Sequence, residues 1–206
     1  MGQDQPTPSH QLSLDEVLAL MLDGLDQAHI GVSAQEAQNT RTRMQSHLQD
    51  ELRRNATAAE TLVNLVETRT LRPETVATLI GAISVRWDLQ VVSAFVASLL
   101  TNPDDQIAQS AANSAFNLAS QSVAIQQAII DATEGLTTTS NPGVASTLLR
   151  ALRMVPTSPR VTNILRETLA TGSGPAKVAA LDVLGERTLR DVSTSDSGDL
   201  SLISAT

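Results

Sequence analysis

The chain contains no cysteine and almost no aromatic residues, and both absences narrow the structures it can form. Without cysteine, disulfide bonds, thiolate metal sites and cysteine nucleophiles are excluded, although the compartment stays open. Its 206 residues include one Trp, two Phe and no Tyr. A β-sandwich normally draws on these residues for its pleated faces, whereas small aliphatic side chains suit closely packed helices. A core of Leu, Val, Ile and Ala therefore predicts an all-α fold.

Basic charge is also scarce. The chain has 14 Lys and Arg, of which a single residue is Lys, against 22 Asp and Glu, and its formal net charge is −8. A protein that binds nucleic acid through the phosphate backbone needs a basic surface, so we expect no nucleic-acid partner. Positions 101–140 hold four acids and no basic residue, whereas positions 141–190 hold seven basic residues. This asymmetry indicates either two differently solvated faces or a polar binding groove with a positive end.

Long apolar runs are missing as well. No stretch approaches the roughly 18 apolar residues of a membrane span. The first ten residues, MGQDQPTPSH, lack the apolar segment of a signal peptide. We expect a soluble protein, which is either cytoplasmic or exported with a signal peptide already removed. The compartment is therefore left unassigned.

Two capping boxes mark the N-terminal helices. Ser13 with Glu16, and Ser33 with Glu36, form the S-x-x-E pattern that satisfies two free backbone donors at a helix start. A third helix is predicted to begin near Thr57. These helices predict an N-terminal helical cap over residues 13–70, preceded by a flexible leader over residues 1–12.

From residue 71 onward a repeat of about 34 residues appears. Four short helices are predicted to begin with a proline, each followed by an apolar residue that opens the buried stripe. The prolines are Pro73, Pro103, Pro142 and Pro175, and the apolar residues are Val76, Ile107, Val144 and Val178. Between these helices lies a second family, with matching positions at Val92, Ile125 and Val161. A two-helix period of this length is typical of a helical solenoid, in which stacked pairs share one core.

The repeat resembles HEAT repeats over about residues 71–190. Gly174–Gly185, with the sequence GPAKVAALDVLG, is similar to a first HEAT helix, in which a run of small residues ends in Leu-Gly. Asn102–Leu118 and Asn141–Val155 are further similar stretches. The regular Asp and Arg between paired helices are missing. The resemblance implies a right-handed superhelix of stacked antiparallel helix pairs with about 9–10 helices, used for protein binding and scaffolding. A tail over residues 191–206, rich in Ser and Thr, is expected to be flexible.

The sequence predicts neither an enzyme nor a cofactor or metal site. Its three histidines (His10, His29 and His47) lie in the first quarter of the chain, and no G-x-S-x-G or H-E-x-x-H motif occurs. His47 and Glu51 are four residues apart on one predicted helix, as two metal ligands would be. Arg43 on the same face would repel a cation, so a solvated polar stripe is the preferred interpretation.

The most favoured function is a non-enzymatic protein-binding scaffold or adaptor, whose partner is another protein or further copies of the chain. The second helix of each pair is expected to line the concave face, where polar positions are candidate binding residues. These are Gln126, Gln127, Asp131, Asn163, Arg166 and Glu167. An ordinary helix face exposed to solvent would show the same pattern of polar residues, so this alternative stays open. The alternative function is a carrier of lipid or another apolar ligand held in a cavity between helix layers. A weaker likeness to helical lipoprotein-type lipid carriers, over Leu62–Leu79 and the helices that follow, suggests this alternative.

Overall fold

A computed structural model describes residues 12–28, 30–55, 57–136 and 141–203, and the side chains of all of these except 135, 136 and 189–203. The described backbone forms ten α-helices and two short 3-10 helices and contains no strand, which confirms the all-α prediction. The α-helices are α1 (Leu14–Gln27), α2 (Ala34–Arg54), α3 (Ala58–Thr68), α4 (Pro73–Ile83), α5 (Gln90–Ser98), α6 (Asp105–Leu118), α7 (Val123–Leu136), α8 (Pro142–Ala151), α9 (Pro159–Thr171) and α10 (Gly174–Ile203). The 3-10 helices are Ser84–Arg86 and Leu152–Met154.

Both predicted capping boxes are present. In α1 the backbone N–H of Ser13 donates to the Glu16 carboxylate at 2.7 Å, and in α2 Ser33 makes the equivalent bond to Glu36 at 3.0 Å. These bonds favour the ionised carboxylate, so the pKa of each glutamate lies below its ordinary value. Gly31, with a φ of 71°, makes the turn between the two helices, in a backbone region that other residues rarely adopt.

The helices pack in two rows. Each even-numbered helix packs against the next even-numbered one, from α2 to α10, and the odd-numbered helices do the same from α1 to α9. We call these the even row and the odd row. Among the described residues, no extensive contact joins α1 or α2 to α9 or α10, so the rows do not close on themselves. The two helix families predicted from the repeat occupy different rows: the helices with Val76, Ile107 and Val144 lie in the even row, and those with Val92, Ile125 and Val161 lie in the odd row. Helix α9 of the odd row also begins with a proline, Pro159.

One apolar core runs between the rows, and most of the predicted stripe residues belong to it. Val178 is the exception, because it is 53% exposed. On α10 the buried positions are instead Ala176, Ala179, Ala180 and Val183. Helices α8 and α9 cover α10 from one side, and the small alanine side chains face them, which leaves Val178 and Leu181 in solvent. The confirmed stripe residues are Val76, Ile107, Val144, Val92, Ile125 and Val161.

The helix ends differ from the prediction in two places. Helix α6 begins after Pro103, because the Asp104 carboxylate accepts the backbone N–H groups of Gln106 and Ile107 and so makes Asp104 the N-cap. Helix α10 continues to Ile203, where the sequence indicated a flexible tail over residues 191–206. No proline interrupts its hydrogen-bond ladder after Pro175. The predicted leader lies outside the described residues up to residue 11.

Two arginines, one just after α4 and one within α10, donate hydrogen bonds to backbone carbonyls at or just after the end of the preceding even helix. Arg86 donates from Nη1 to the carbonyl of Leu52 at 3.0 Å. Arg187 donates from Nη2 to the carbonyls of Leu152 at 2.6 Å and Val155 at 2.8 Å. A helix end has carbonyls without partners in the helix, and these guanidinium groups satisfy some of them. In the part of the chain that the structure describes, no helix combines the length and the apolar character needed to cross a membrane.

Candidate functional site

The six predicted binding residues lie on two helices of the odd row. Gln126, Gln127 and Asp131 are on α7, and the other three are on α9. Gln126 is half-buried, and its side-chain amide donates to the carbonyl of Ala119 at 2.7 Å. Gln127 is exposed and donates to the Asp131 carboxylate at 2.9 Å. Part of this candidate set is therefore engaged in contacts within the chain.

Asp131 also belongs to an ion-pair cluster that joins α7 to α9. Arg160 donates from Nη2 to Asp131 at 2.7 Å, and from Nε and Nη2 to the two carboxylate oxygens of Glu134 at 2.6 Å each. This paired geometry holds the pKa of Glu134 below its ordinary value, mainly through the side-chain hydrogen bonds from Arg160, and raises the pKa of Arg160. The cluster holds two neighbouring helices of the odd row together.

The three predicted residues on α9 remain available at the surface. Asn163, Arg166 and Glu167 are exposed. Among the described residues, the side chains of these three make no hydrogen bond and no ion pair, and no such bond connects them to the three residues on α7. The backbone carbonyl of Glu167 accepts a hydrogen bond from the Thr171 hydroxyl. The structure thus does not gather the six predicted residues into one site.

A groove on the even row gathers several polar side chains that the sequence analysis did not select. It lies between α6 and α8, has a volume of about 330 Å³ and is lined by Asn113, Phe116, Asn117, Thr147 and Arg150. We call it the α6/α8 groove. Asn113 is three residues before Phe116 and four before Asn117, so it neighbours both on the surface of α6. Thr147 and Arg150 are three residues apart on α8.

Contacts around the α6/α8 groove hold its walls in place. The guanidinium of Arg153 lies over the Phe116 ring, 4.7 Å from its centroid, and its Nη1 is 3.4 Å from the Glu186 carboxylate. Across the groove, the side-chain amide of Gln109 on α6 donates to the Thr147 hydroxyl at 2.9 Å and to Asn113 at 3.2 Å. Because α6 and α8 are linked by these contacts, the groove keeps its shape before any ligand binds.

Arg150 is the groove residue with the most accessible charge. Its side chain is 53% exposed, and its Nε is 4.0 Å from the Asp182 carboxylate on α10, which is beyond hydrogen-bond distance. No acidic side chain is among the groove's lining residues. The amides, the hydroxyl and the guanidinium therefore present donors and acceptors around an aromatic ring, which suits a polar ligand.

A second pocket, of about 410 Å³, lies beside α1 and has a structural role. It is lined by Asp23, Asp26, Gln27, Arg69, Thr70 and Leu71. Asp26 accepts the backbone N–H of Arg72 at 3.0 Å and the hydroxyl of Thr75 at 2.8 Å, at the start of α4. Asp23 pairs with Arg69 at 2.7 Å. These carboxylates hold α1 to the segment between α3 and α4.

Of the three histidines, one lies among the residues that the structure describes. His47 is exposed on α2, and His10 and His29 lie outside the described residues. Within the described ranges, no group of three or more His, Asp or Glu side chains is arranged to hold a metal ion.

The α6/α8 groove was not predicted, because the expectation for α6 concerned its apolar stripe, which begins at Ile107. The alanines of α6 also face the core. A signal was nevertheless present, since Gln109, Asn113 and Asn117 repeat every four residues and so form an amide stripe on another face of the same helix. Which helix stands across from that stripe cannot be read from local spacing.

Comparisons with known proteins identify no relative. No protein-family model matches the chain, and searches of curated proteins and of solved structures find no match. The functional argument therefore depends on the residues and their arrangement.

Proposed function

We propose that this chain is a non-enzymatic protein-binding module, a scaffold or adaptor built as a curved α-solenoid of the HEAT type. The observation that carries this proposal is the packing of successive helices in two rows, in which the described part of each helix contacts chiefly its neighbours. Stacked helix pairs that contact chiefly their neighbours produce long surfaces, which such proteins use to bind other proteins.

The difference between the two rows supports a curved shape. The backbones of neighbouring even helices approach each other more extensively than those of neighbouring odd helices. Small residues on α6 explain part of this close approach, because Ala108, Ala111, Ala112 and Ala115 are all buried. A stack that is tighter on one side bends toward that side, so the even row would be the concave face.

A concave even row would favour this row as the binding surface, whereas the sequence predicted that the second helices, which form the odd row, line the concave face. The α6/α8 groove lies on the even row and offers polar groups without acidic lining residues. The exposed Asn163, Arg166 and Glu167 on α9 form the competing surface. The partner is another protein or a further copy of this chain.

Carriage of a lipid or another apolar ligand is the second candidate. The pocket beside α1 has a mostly polar surface, which does not suit an apolar ligand. In the α6/α8 groove, by contrast, apolar atoms contribute most of the surface, although four of its five lining residues are polar or charged. Native mass spectrometry of the purified protein separates the two functions. A retained lipid mass would favour the carrier, and a mass equal to that of the protein alone would favour the binding module.

Site-specific photo-cross-linking tests the proposed function and the proposed face together. A photoreactive phenylalanine analogue replaces Asn117 on α6, Arg166 on α9 or, as a control, Glu60 on α3, all of which are exposed. Each full-length variant is irradiated in an extract of the native source. We expect one discrete cross-linked product from the Asn117 position and none from the Glu60 position.

The pattern of products decides between the alternatives. A product from Arg166 alone would assign binding to the odd row, and a product of twice the chain mass would indicate self-association. If no position on either row gives a light-dependent product, the proposed function is wrong.

A further inference from the structure

The size and the walls of the α6/α8 groove restrict what it can bind. Its volume of about 330 Å³ is at the lower end of the roughly 300–1,000 Å³ that ligand pockets occupy, so it holds a short part of a larger ligand. The groove runs between two helices packed side by side, and a ligand that follows it must be narrow. An extended polypeptide segment has that shape.

The asparagine spacing matches the repeat of an extended chain. Asn113 and Asn117 are four residues apart on α6, which separates them by about 6 Å along the helix axis. Alternate residues of an extended polypeptide are about 6.6–6.8 Å apart. Each asparagine amide has both a donor and an acceptor, as a peptide group has. The two side chains can therefore pair with alternate peptide groups of one strand lying along α6.

The positive charge of Arg150 at the groove favours an acidic side chain on an extended ligand. Arg150 faces these amides from α8 as an exposed cation, and Asp182 approaches it only to 4.0 Å. Arg153 is already placed over Phe116 and against Glu186. A carboxylate between Asn117 and Arg150 would form charge-assisted hydrogen bonds with the guanidinium, and the methylene groups of its side chain would contact Phe116.

We propose that the α6/α8 groove binds an extended polypeptide segment that presents an Asp or Glu side chain to Arg150. This inference rests on the proposed protein-binding function and names the chemistry of the partner. Asn113 and Asn117 bind the main chain of the segment, Arg150 binds its carboxylate, and Phe116 forms the floor.

A titration followed by NMR tests the assignment on the full ¹⁵N-labelled chain. The probes are two capped peptides, Ac-Gly-Ala-Glu-Ala-Gly-NH2 and its glutamine counterpart, which differ in charge and are similar in shape. We expect the side-chain amide signals of Asn113 and Asn117 and the Nε–H signal of Arg150 to shift saturably with the glutamate peptide. The glutamine peptide should bind about tenfold more weakly, because it lacks the charge-assisted bond.

Variants separate the two parts of the recognition. Arg150→Gln should remove the preference for glutamate, and Arg150→Lys, which keeps the charge, should retain part of it. Asn117→Leu should weaken both peptides equally. Arg43→Gln, at an exposed position of α2, is the matched control and should change neither affinity. Circular dichroism melts of each variant verify that the fold is retained.

Three results would overturn the inference. These are no saturable shift at about 10 mM peptide, equal binding of the two peptides, or the same shifts caused by inorganic phosphate with equal affinity. The last result would identify a general anion site. A protein partner captured by the photo-cross-linker at Asn117, together with any of these results, would leave the proposed function standing and remove the acidic strand as its ligand.

Discussion

Arg160 shows how a single residue connects two helices of the odd row. It donates to carboxylates of both Asp131 and Glu134 on α7 from its position on α9. All three side chains are partly exposed to solvent, which weakens the attraction between the charges. The cluster therefore sets the alignment of α7 and α9 more than it adds to the stability of the fold.

Replacing Glu134 by Gln should lower the melting temperature by about 1–3 °C at pH 7. The pKa of Glu134 in the folded protein is below its ordinary value of 4.5, so its stabilising contribution is present above about pH 4.5. That contribution is lost as the pH falls through the folded-state pKa. The difference between variant and parent should thus be smaller at pH 3 than at pH 7.

Thermal melts at both pH values, with Glu167→Gln as control, check the expectation. Glu167 is exposed on α9 and, within the described residues, has no ion pair, so its variant should match the parent at pH 7. A difference for Glu134→Gln that persists unchanged at pH 3 would show that the effect is not electrostatic.

At the scale of single helices, stability depends on both the ends and the faces. The capping box of α2 satisfies backbone donors through Ser33 and Glu36. Replacing Ser33 by Ala should cost about 1 kcal/mol of unfolding free energy. Ser46→Ala, at an exposed interior position of the same helix, is the matched control and should be neutral or slightly stabilising.

Chemical denaturation of the two serine variants measures both effects. Equal destabilisation by Ser33→Ala and Ser46→Ala would contradict the assignment, because it would point to a general cost of losing a hydroxyl. No change for Ser33→Ala would mean that the box does not stabilise α2.

The alanines of α6 set how closely the even helices approach. Ala111 is fully buried on this helix, which packs against α4 and α8. A leucine in its place should force the neighbours apart and cost about 1–3 kcal/mol. The same change at Ala124, which is exposed on α7, should be tolerated. Denaturant unfolding of both variants gives the comparison, and similar losses at the two positions would contradict close packing at Ala111.

The sequence predicted those parts of each helix that depend on nearby residues. Both capping boxes and most stripe residues were correct, because a cap needs four residues and a stripe needs one helical period. Pro103 was assigned wrongly, since the Asp104 cap three residues before Ile107 determines the start of α6. Val178 was assigned wrongly because its burial depends on whether another helix lies beyond α10.

The candidate site was largely unpredictable for the same reason. Asn117 and Arg150 are 33 positions apart and meet only because α6 lies beside α8. Arg160 likewise meets Glu134 across 26 positions and Asp131 across 29, so the ion pair of the predicted binding residue Asp131 could not be inferred from local spacing. Contacts of this kind depend on the order of the rows, which local periodicity does not contain.

For the molecule as a whole, the two rows predict an uneven distribution of stability. Helices in the middle of each row have a neighbour on both sides, whereas α1 and α2 begin the rows and α10 ends one of them. Segments with fewer packed neighbours open more readily.

Hydrogen exchange followed by mass spectrometry should therefore show the slowest exchange in α4, α6 and α8 and faster exchange in α1. The half-exposed Trp87, the only tryptophan, offers a second probe of unfolding by fluorescence. Equal protection of α1 and α6 would indicate a single cooperative unit and would contradict the expected gradient.

Val178 and Leu181 are exposed apolar residues on α10, and they form a surface to which further helices could be added. A further helix pair placed there would meet a surface already suited to receive it, while every junction from α1 to α9 stayed as it is. Insertions and deletions of whole pairs would thus be better tolerated than changes within one pair.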